Sequence, residues 1–248
     1  MRSRTFVISA LLLAAVVIGA TVGQTNARLE LRPSAASSGV EPALAPTPSS
    51  NLADESGGTS GSLSVASAVR YRIDASQSKF MVKAYVGGFL SVFGHDHNIA
   101  IKDLAGEALV TPDTIEPASL QLTIRSESLT VTDKVSEKDK KEIEATMRGE
   151  VLETSTYPEI VFKSTSVIAT RTGDGQYQAK IWGDLTLHGV TRSGLIYANV
   201  GLSGNTLRAR GEFPLRQTDY NIKPVSVAGG TVKVKNELRL SFDIVANK

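Results

Sequence analysis

Three histidines are the residues of this 248-residue chain whose types and spacing invite chemistry. His95 and His97 flank Asp96 in Phe93-Gly94-His95-Asp96-His97, so in a strand the two imidazoles share one face and the carboxylate takes the other. His188 stands far along the chain in Leu187-His188-Gly189-Val190. Were it to join the first two, three nitrogens with an open fourth position would match the ligand set of a catalytic zinc site, giving a metal-dependent enzyme. No carboxylate is tied to that spacing. The same residues also suit turns, with Gly94 and Gly189 marking tight geometry, or the polar head of a ligand.

Other catalytic patterns are missing from the sequence. There is no Gly-x-Ser-x-Gly and no Gly-x-x-x-x-Gly-Lys phosphate loop. The chain has no cysteine, which removes thiolate metal sites, cysteine nucleophiles and disulfides. Asp and Glu fall on outward strand positions or in one charged segment, where solvation accounts for them. The expectation is a protein that is not an enzyme, with no catalytic residue, cofactor or bound metal.

The elements that would position the histidines are strands. From Thr231 to Val245, Val232, Val234, Leu238, Leu240, Phe242 and Ile244 fall on one parity, and Lys233, Lys235, Glu237, Arg239, Ser241 and Asp243 on the other. A period of two makes a strand buried on one side and wet on the other. At roughly 3.4 Å per residue it spans about 45 Å, far beyond the usual strand, and suits the wall of a large closed sheet that can hold a ligand.

Further β-rich stretches cover 70–74, 78–93, 97–110, 118–131, 159–169, 175–188, 193–203 and 205–216, separated by turn material such as Thr111-Pro112-Asp113 and Thr172-Gly173-Asp174-Gly175. Short links and few helices make an antiparallel meander, and long two-faced strands must stack or close. The fold class is all-β, an extended eight-stranded antiparallel barrel with one short surface helix. That helix is expected between Asp133 and Arg148, where Val135, Ile143 and Met147 form a narrow apolar stripe, Glu144 and Arg148 can pair, and Gly149 is a natural stop. It lies across the barrel surface or forms a lid over one mouth.

The amino terminus reads differently. Arg2 and Arg4 precede the apolar run Phe6 to Val22 and a small, polar exit ending near Ala27, the pattern of an export signal over residues 1–27 or an uncleaved anchor. Without a cysteine after the run, lipoprotein attachment is excluded. Residues 28–68 are rich in Ser, Ala, Pro, Gly and Thr, lack aromatics, and read as a disordered linker. The domain at 69–248 keeps 23 of the 27 Lys and Arg and 21 of the 25 Asp and Glu, a near balance that argues against a nucleic-acid partner. The expected location is periplasmic or extracellular, or membrane-anchored. Association with a membrane surface and a homodimer both stay open.

Several segments resemble the YceI-like family of exported lipid-binding proteins. They are Tyr71-Arg72-Ile73-Asp74 with Ser78-Lys79-Phe80, Tyr157-Pro158-Glu159-Ile160-Val161-Phe162, and Gly183-Asp184-Leu185-Thr186-Leu187-His188-Gly189-Val190-Thr191. The pattern of the last strand from Lys235 agrees. The resemblance implies a lipocalin-like barrel whose apolar tube holds a polyisoprenoid or similar amphiphile, in agreement with the container that strand length and parity suggest. The chain differs from many relatives at Phe93 to His97 and at Leu215 to Ile222.

The leading expectation is therefore a carrier or reservoir for an amphiphilic lipid such as a polyisoprenoid. By parity its lining is Phe80, Val82, Leu122, Ile124, Leu185, Leu187, Val234, Leu238, Leu240 and Phe242, with His95, His97 and His188 near a polar head at one mouth. A tethered interaction module is the further alternative, and it requires a filled interior.

Overall fold

The structure, a computed structural model, describes residues 67–88, 94–111 and 115–248. The expected export signal, most of the expected linker, residues 89–93 and the turn residues 112–114 lie outside the described residues.

The strands form one antiparallel sheet that closes on itself as an eight-stranded barrel. Its first stave is a single run in two pieces, β1 (Val69–Ile73) and β2 (Lys79–Gly87), interrupted where Asp74 accepts bonds from Ser76 and Gln77. The second is β3 (His97–Ile101) continuing into β4 (Leu104–Thr111), and the third is β5 (Ile115–Arg125) continuing through a short turn into β6 (Leu129–Val131). The sequence presents 118–131 as one strand. The break comes at Ser126, whose amide and hydroxyl bond Pro158 and Tyr157 carbonyls and so leave the ladder.

The other five staves are unbroken: β7 (Glu159–Gly173), β8 (Gln176–Leu187), β9 (Val190–Ser203), β10 (Thr206–Arg216) and β12 (Val232–Asn247), with β11 (Ser226–Val227) a short addition to β12. Each stave pairs with its neighbour in chain order. The ring closes where β1 pairs with β12 through Arg72↔Asn247 and Ile73↔Ala246, while β2 runs on along the same edge of β12. β12, at 16 residues, is about 50 Å of strand.

Parity explains why these sequences make a wall. Residues 232, 234, 238, 240, 242, 244 and 246 of β12 point inward, and Lys233, Lys235, Glu237, Arg239 and Ser241 are exposed. A bulge falls between Val234 and Leu238, and there Asn236 is bound to Thr218 of the turn at Gln217–Tyr220. Inward side chains pack as two clusters. One is centred on Phe80, Leu104, Ile124 and Leu240, the other on Tyr71, Ile115, Tyr177 and Val200. Ile73, Leu122, Leu185 and Phe242 touch both clusters and are only half-buried, because at mid-barrel they face open space.

On the outer face, Asp243 of β12 accepts from Arg208 (2.6 and 2.7 Å) and Arg210 (3.1 Å) of β10. The Arg208 hydrogen bonds, opposed by some desolvation and helped by Arg210, lower its carboxyl to about 2. A depressed carboxylate stabilises the fold fully above its unfolded value near 3.8, and that stability is lost as pH falls through the folded value. The urea midpoint of Asp243→Asn should therefore lie below wild type at pH 7, and the gap should close between pH 4 and 2. A gap independent of pH would refute the assignment.

α1 (Glu137–Thr146) starts at Ser136, whose hydroxyl accepts from the Asp139 amide as an N-cap. The expected stop at Gly149 is not observed. The chain passes through Gly149 in a π-helical turn, Met147–Val151, that ends only when Met147 and Leu152 are buried against the barrel. Burial of these two apolar residues outweighs the glycine's preference to terminate.

Candidate functional site: an apolar bore with a polar mouth

The inward faces enclose a cavity of about 1160 Å³. It reaches from Val232, Leu187 and Leu215 at one end of the staves to Val110, Ala179, Val200 and Ala246 towards the other. Ligand pockets commonly measure ~300–1,000 Å³, so this one accommodates a long molecule. All ten apolar residues expected from parity line it: Phe80, Val82, Leu122, Ile124, Leu185, Leu187, Val234, Leu238, Leu240 and Phe242. Residues not singled out from sequence include Ala84, Ile181, Ile196, Val200, Ala209 and Phe213, which obey the same parity on β2, β8, β9 and β10. The signal was present but weaker, because Ala and Gly interrupt the alternation there.

The polar groups gather at the end where β3 and α1 begin. His95 and His97 both border the cavity, with ring centroids 4.9 Å apart and edge-on. Only His97 belongs to a strand, so the pair meets through the bend before β3 and not through strand parity. His97 Nδ1 lies 2.9 Å from Asp133 Oδ2, and Asp133 also accepts from the Asn98 amide and side chain. Burial alone would raise the Asp133 carboxyl, but the bonds from Asn98 and His97 outweigh it and hold it below the usual carboxylate range. Asp96 is spent on structure: it accepts from the Val86 amide at 3.1 Å and faces Lys83 at 3.5 Å.

His188 is placed elsewhere. With Gly189 it makes the β8–β9 turn, both residues at positive φ (51° and 71°), as a tight right-twisting hairpin requires. Its Nε2 lies 2.8 Å from Glu153 Oε2 and its ring packs on Tyr157 at 4.4 Å. It does not border the cavity. Among the described residues no three histidines or carboxylates are grouped to hold a metal ion, so the three-nitrogen site considered from the sequence is not assembled. The turn geometry of a bulky residue at positive φ was invisible in the sequence; Gly189 was its only trace.

α1 supplies one wall of the mouth. Asp139, Glu142, Ile143 and Thr146, followed by Met147 and Glu150, border the cavity, so the apolar stripe faces the bore. Of the two expectations for this helix, the structure places it as a cover.

Residues 71–246 match the YceI-like domain family. The chain belongs to that family. BcnA of Burkholderia cenocepacia is similar in structure, with a TM-score of 0.55 and 20% identity over 71% of this chain and 99% of BcnA. A polyisoprenoid binding domain from Saccharophagus degradans implicated in plant cell wall breakdown has a TM-score of 0.51 and 15% identity, over 71% of this chain and 97% of that domain. At such identities the likeness is one of fold. No curated protein matches the chain in sequence.

Proposed function

We propose that the protein is a non-enzymatic carrier or reservoir for a long-chain amphiphile such as a polyisoprenoid, held lengthwise in the barrel. The observation that carries this reading is the continuous apolar bore, bordered by half-buried Leu122, Leu185 and Phe242 at mid-length and by half-buried Leu238 near the mouth. Apolar side chains kept partly exposed inside a wall are a standing cost, at about 25 cal/mol per Å², which an apolar chain relieves. The tail would run among Ala179, Val200 and Leu207, and the head would meet His95 and His97 at the mouth. That a structural relative is described as a polyisoprenoid binding domain supports the same cargo class. The signal-like amino terminus and the linker support a site of action outside the cytoplasm, near a membrane that supplies such lipids.

Equilibrium binding of geraniol, farnesol and geranylgeraniol, followed by native mass spectrometry, tests the proposal. Each buried methylene contributes about 0.8 kcal/mol, so a five-carbon unit is worth about 4 kcal/mol and affinity should rise by up to about a thousandfold for each unit, with one molecule per barrel. A flat series, or no bound species at all, would overturn it.

A further inference from the structure

β6 pairs with β3 on one side through Ile99↔Val131 and Ile101↔Leu129, and its other edge meets no strand among the described residues. Glu144 of α1 and Arg148 of the turn that follows it take that edge with side chains. Glu144 Oε1 accepts from the Val131 amide at 3.0 Å, and Arg148 Nη2 donates to the Leu129 carbonyl at 3.2 Å. Arg148 also donates through Nε to the Glu127 carbonyl (3.1 Å) and through Nη2 to Glu144 Oε2 (3.1 Å). One i,i+4 pair thus replaces the backbone ladder a neighbouring strand would make.

The two ends of this helical segment are held differently. Met147 and Leu152 are buried in the barrel cluster, whereas no residue of Glu137–Thr146 is buried. The absence of fully buried residues in α1 marks a segment that opens at low cost once its part-buried bonds to β6 are broken. The face it would lift away carries Asp139, Glu142, Ile143 and Thr146, which border the cavity.

We infer that α1 is a lid hinged at Met147–Leu152, that Arg148 of the hinge holds Glu144 of the lid against the edge of β6, and that this clip is the latch that sets how fast an apolar cargo enters and leaves. The inference rests on the cavity being the cargo site. A latch that makes no contact with cargo shifts the open population in free and loaded protein alike. Weakening it therefore speeds uptake and release together and leaves the equilibrium affinity unchanged. The rates, not the affinity, separate a latch from a lining residue.

Stopped-flow fluorescence with dansyl-labelled undecanoic acid provides the test, on the full chain as wild type, Arg148→Ala, Glu144→Gln and Lys141→Ala. Arg148→Ala loses three charge-assisted bonds, and both rate constants should rise about tenfold with Kd within about twofold. Glu144→Gln keeps an acceptor for the Val131 amide but loses the ion pair, and should show a smaller rise in both rates, about threefold. Lys141→Ala, exposed on the same helix, should match wild type. Hydrogen exchange at the Val131 amide should quicken in Arg148→Ala in step with the rates. Faster exchange with unchanged rates would overturn the latch, as would a change in Kd carried by one rate constant alone. Should Arg148→Ala fail to fold, Glu144→Gln decides by the same criteria. Failure of the wild type to bind the probe would instead overturn the cargo reading, and the lid with it.

Discussion

Replacing Ala209 with tryptophan should shorten the usable bore and cost about a thousandfold in affinity for geranylgeraniol. Ala209 lines the cavity from β10, paired with Ile244 of β12, below the wide middle of the barrel. It is half-buried, so an indole there enters open space rather than packed core. Expelling about five carbons of the chain removes ~4 kcal/mol of burial at ~0.8 kcal/mol each, and every ~1.4 kcal/mol is tenfold in Kd. Geraniol, which needs only the upper part, should bind with nearly its original affinity. Titration of both alcohols against both proteins separates a shortened bore from a damaged fold. Equal losses for the two would count against lengthwise occupancy.

Gly106→Ala should be the most damaging single methyl in the wall. A Cβ at Gly106 would be driven into the carbonyl oxygen of Gln121 and lie 3.0 Å from the Leu122 Cα, both backbone atoms of the paired strand β5. Neither can withdraw without breaking the β4–β5 ladder of a closed sheet. Overpacking of this kind costs ~1–3 kcal/mol, and against unyielding backbone we expect about 3. For a domain of this size that lowers Tm by roughly 6–12 °C. Gly194→Ala is the control, since nothing lies within 4 Å of its Cβ position. Thermal melts of the two variants should differ by nearly the whole effect, and equal melts would show that β4 can yield.

The sequence made the walls legible because each wall strand faces two unlike media. Where that contrast holds, as in β12 and in Leu120-Gln121-Leu122-Thr123-Ile124, parity points to Leu122, Ile124, Val234, Leu238, Leu240 and Phe242, all of which border the cavity, as do Leu120, Val232 and Ile244 on the same parity. It was silent where a residue's role depends on a distant partner. The break at Asp74–Ser78 leaves β1 and β2 on one edge of β12, so two stretches that read as separate strands make one stave and the count closes at eight. The pairing Arg72↔Asn247 that shuts the barrel joins the two ends of the domain, and no local pattern encodes it.

The mouth was legible only in part. His95 and His97 reach it, but His188 is drawn to Glu153 and Tyr157 by a hairpin turn that the parity argument could not see. The Glu144–Arg148 pair was predictable from its spacing, whereas its attachment to β6 was not, because an exposed strand edge exists only once the sheet has formed. Functional detail is least readable where backbone groups, common to every residue, do the binding.

Photo-labelling tests the central claim most directly. Geranylgeraniol carrying a diazirine at its tail end, irradiated with the protein and mapped by peptide mass spectrometry, should mark the deep strand segments that hold Ala179, Val200, Leu207 and Ala246. Labels confined to outward positions such as Ile168 and Tyr197, the exposed large apolar side chains among the described residues, would contradict a cargo held inside.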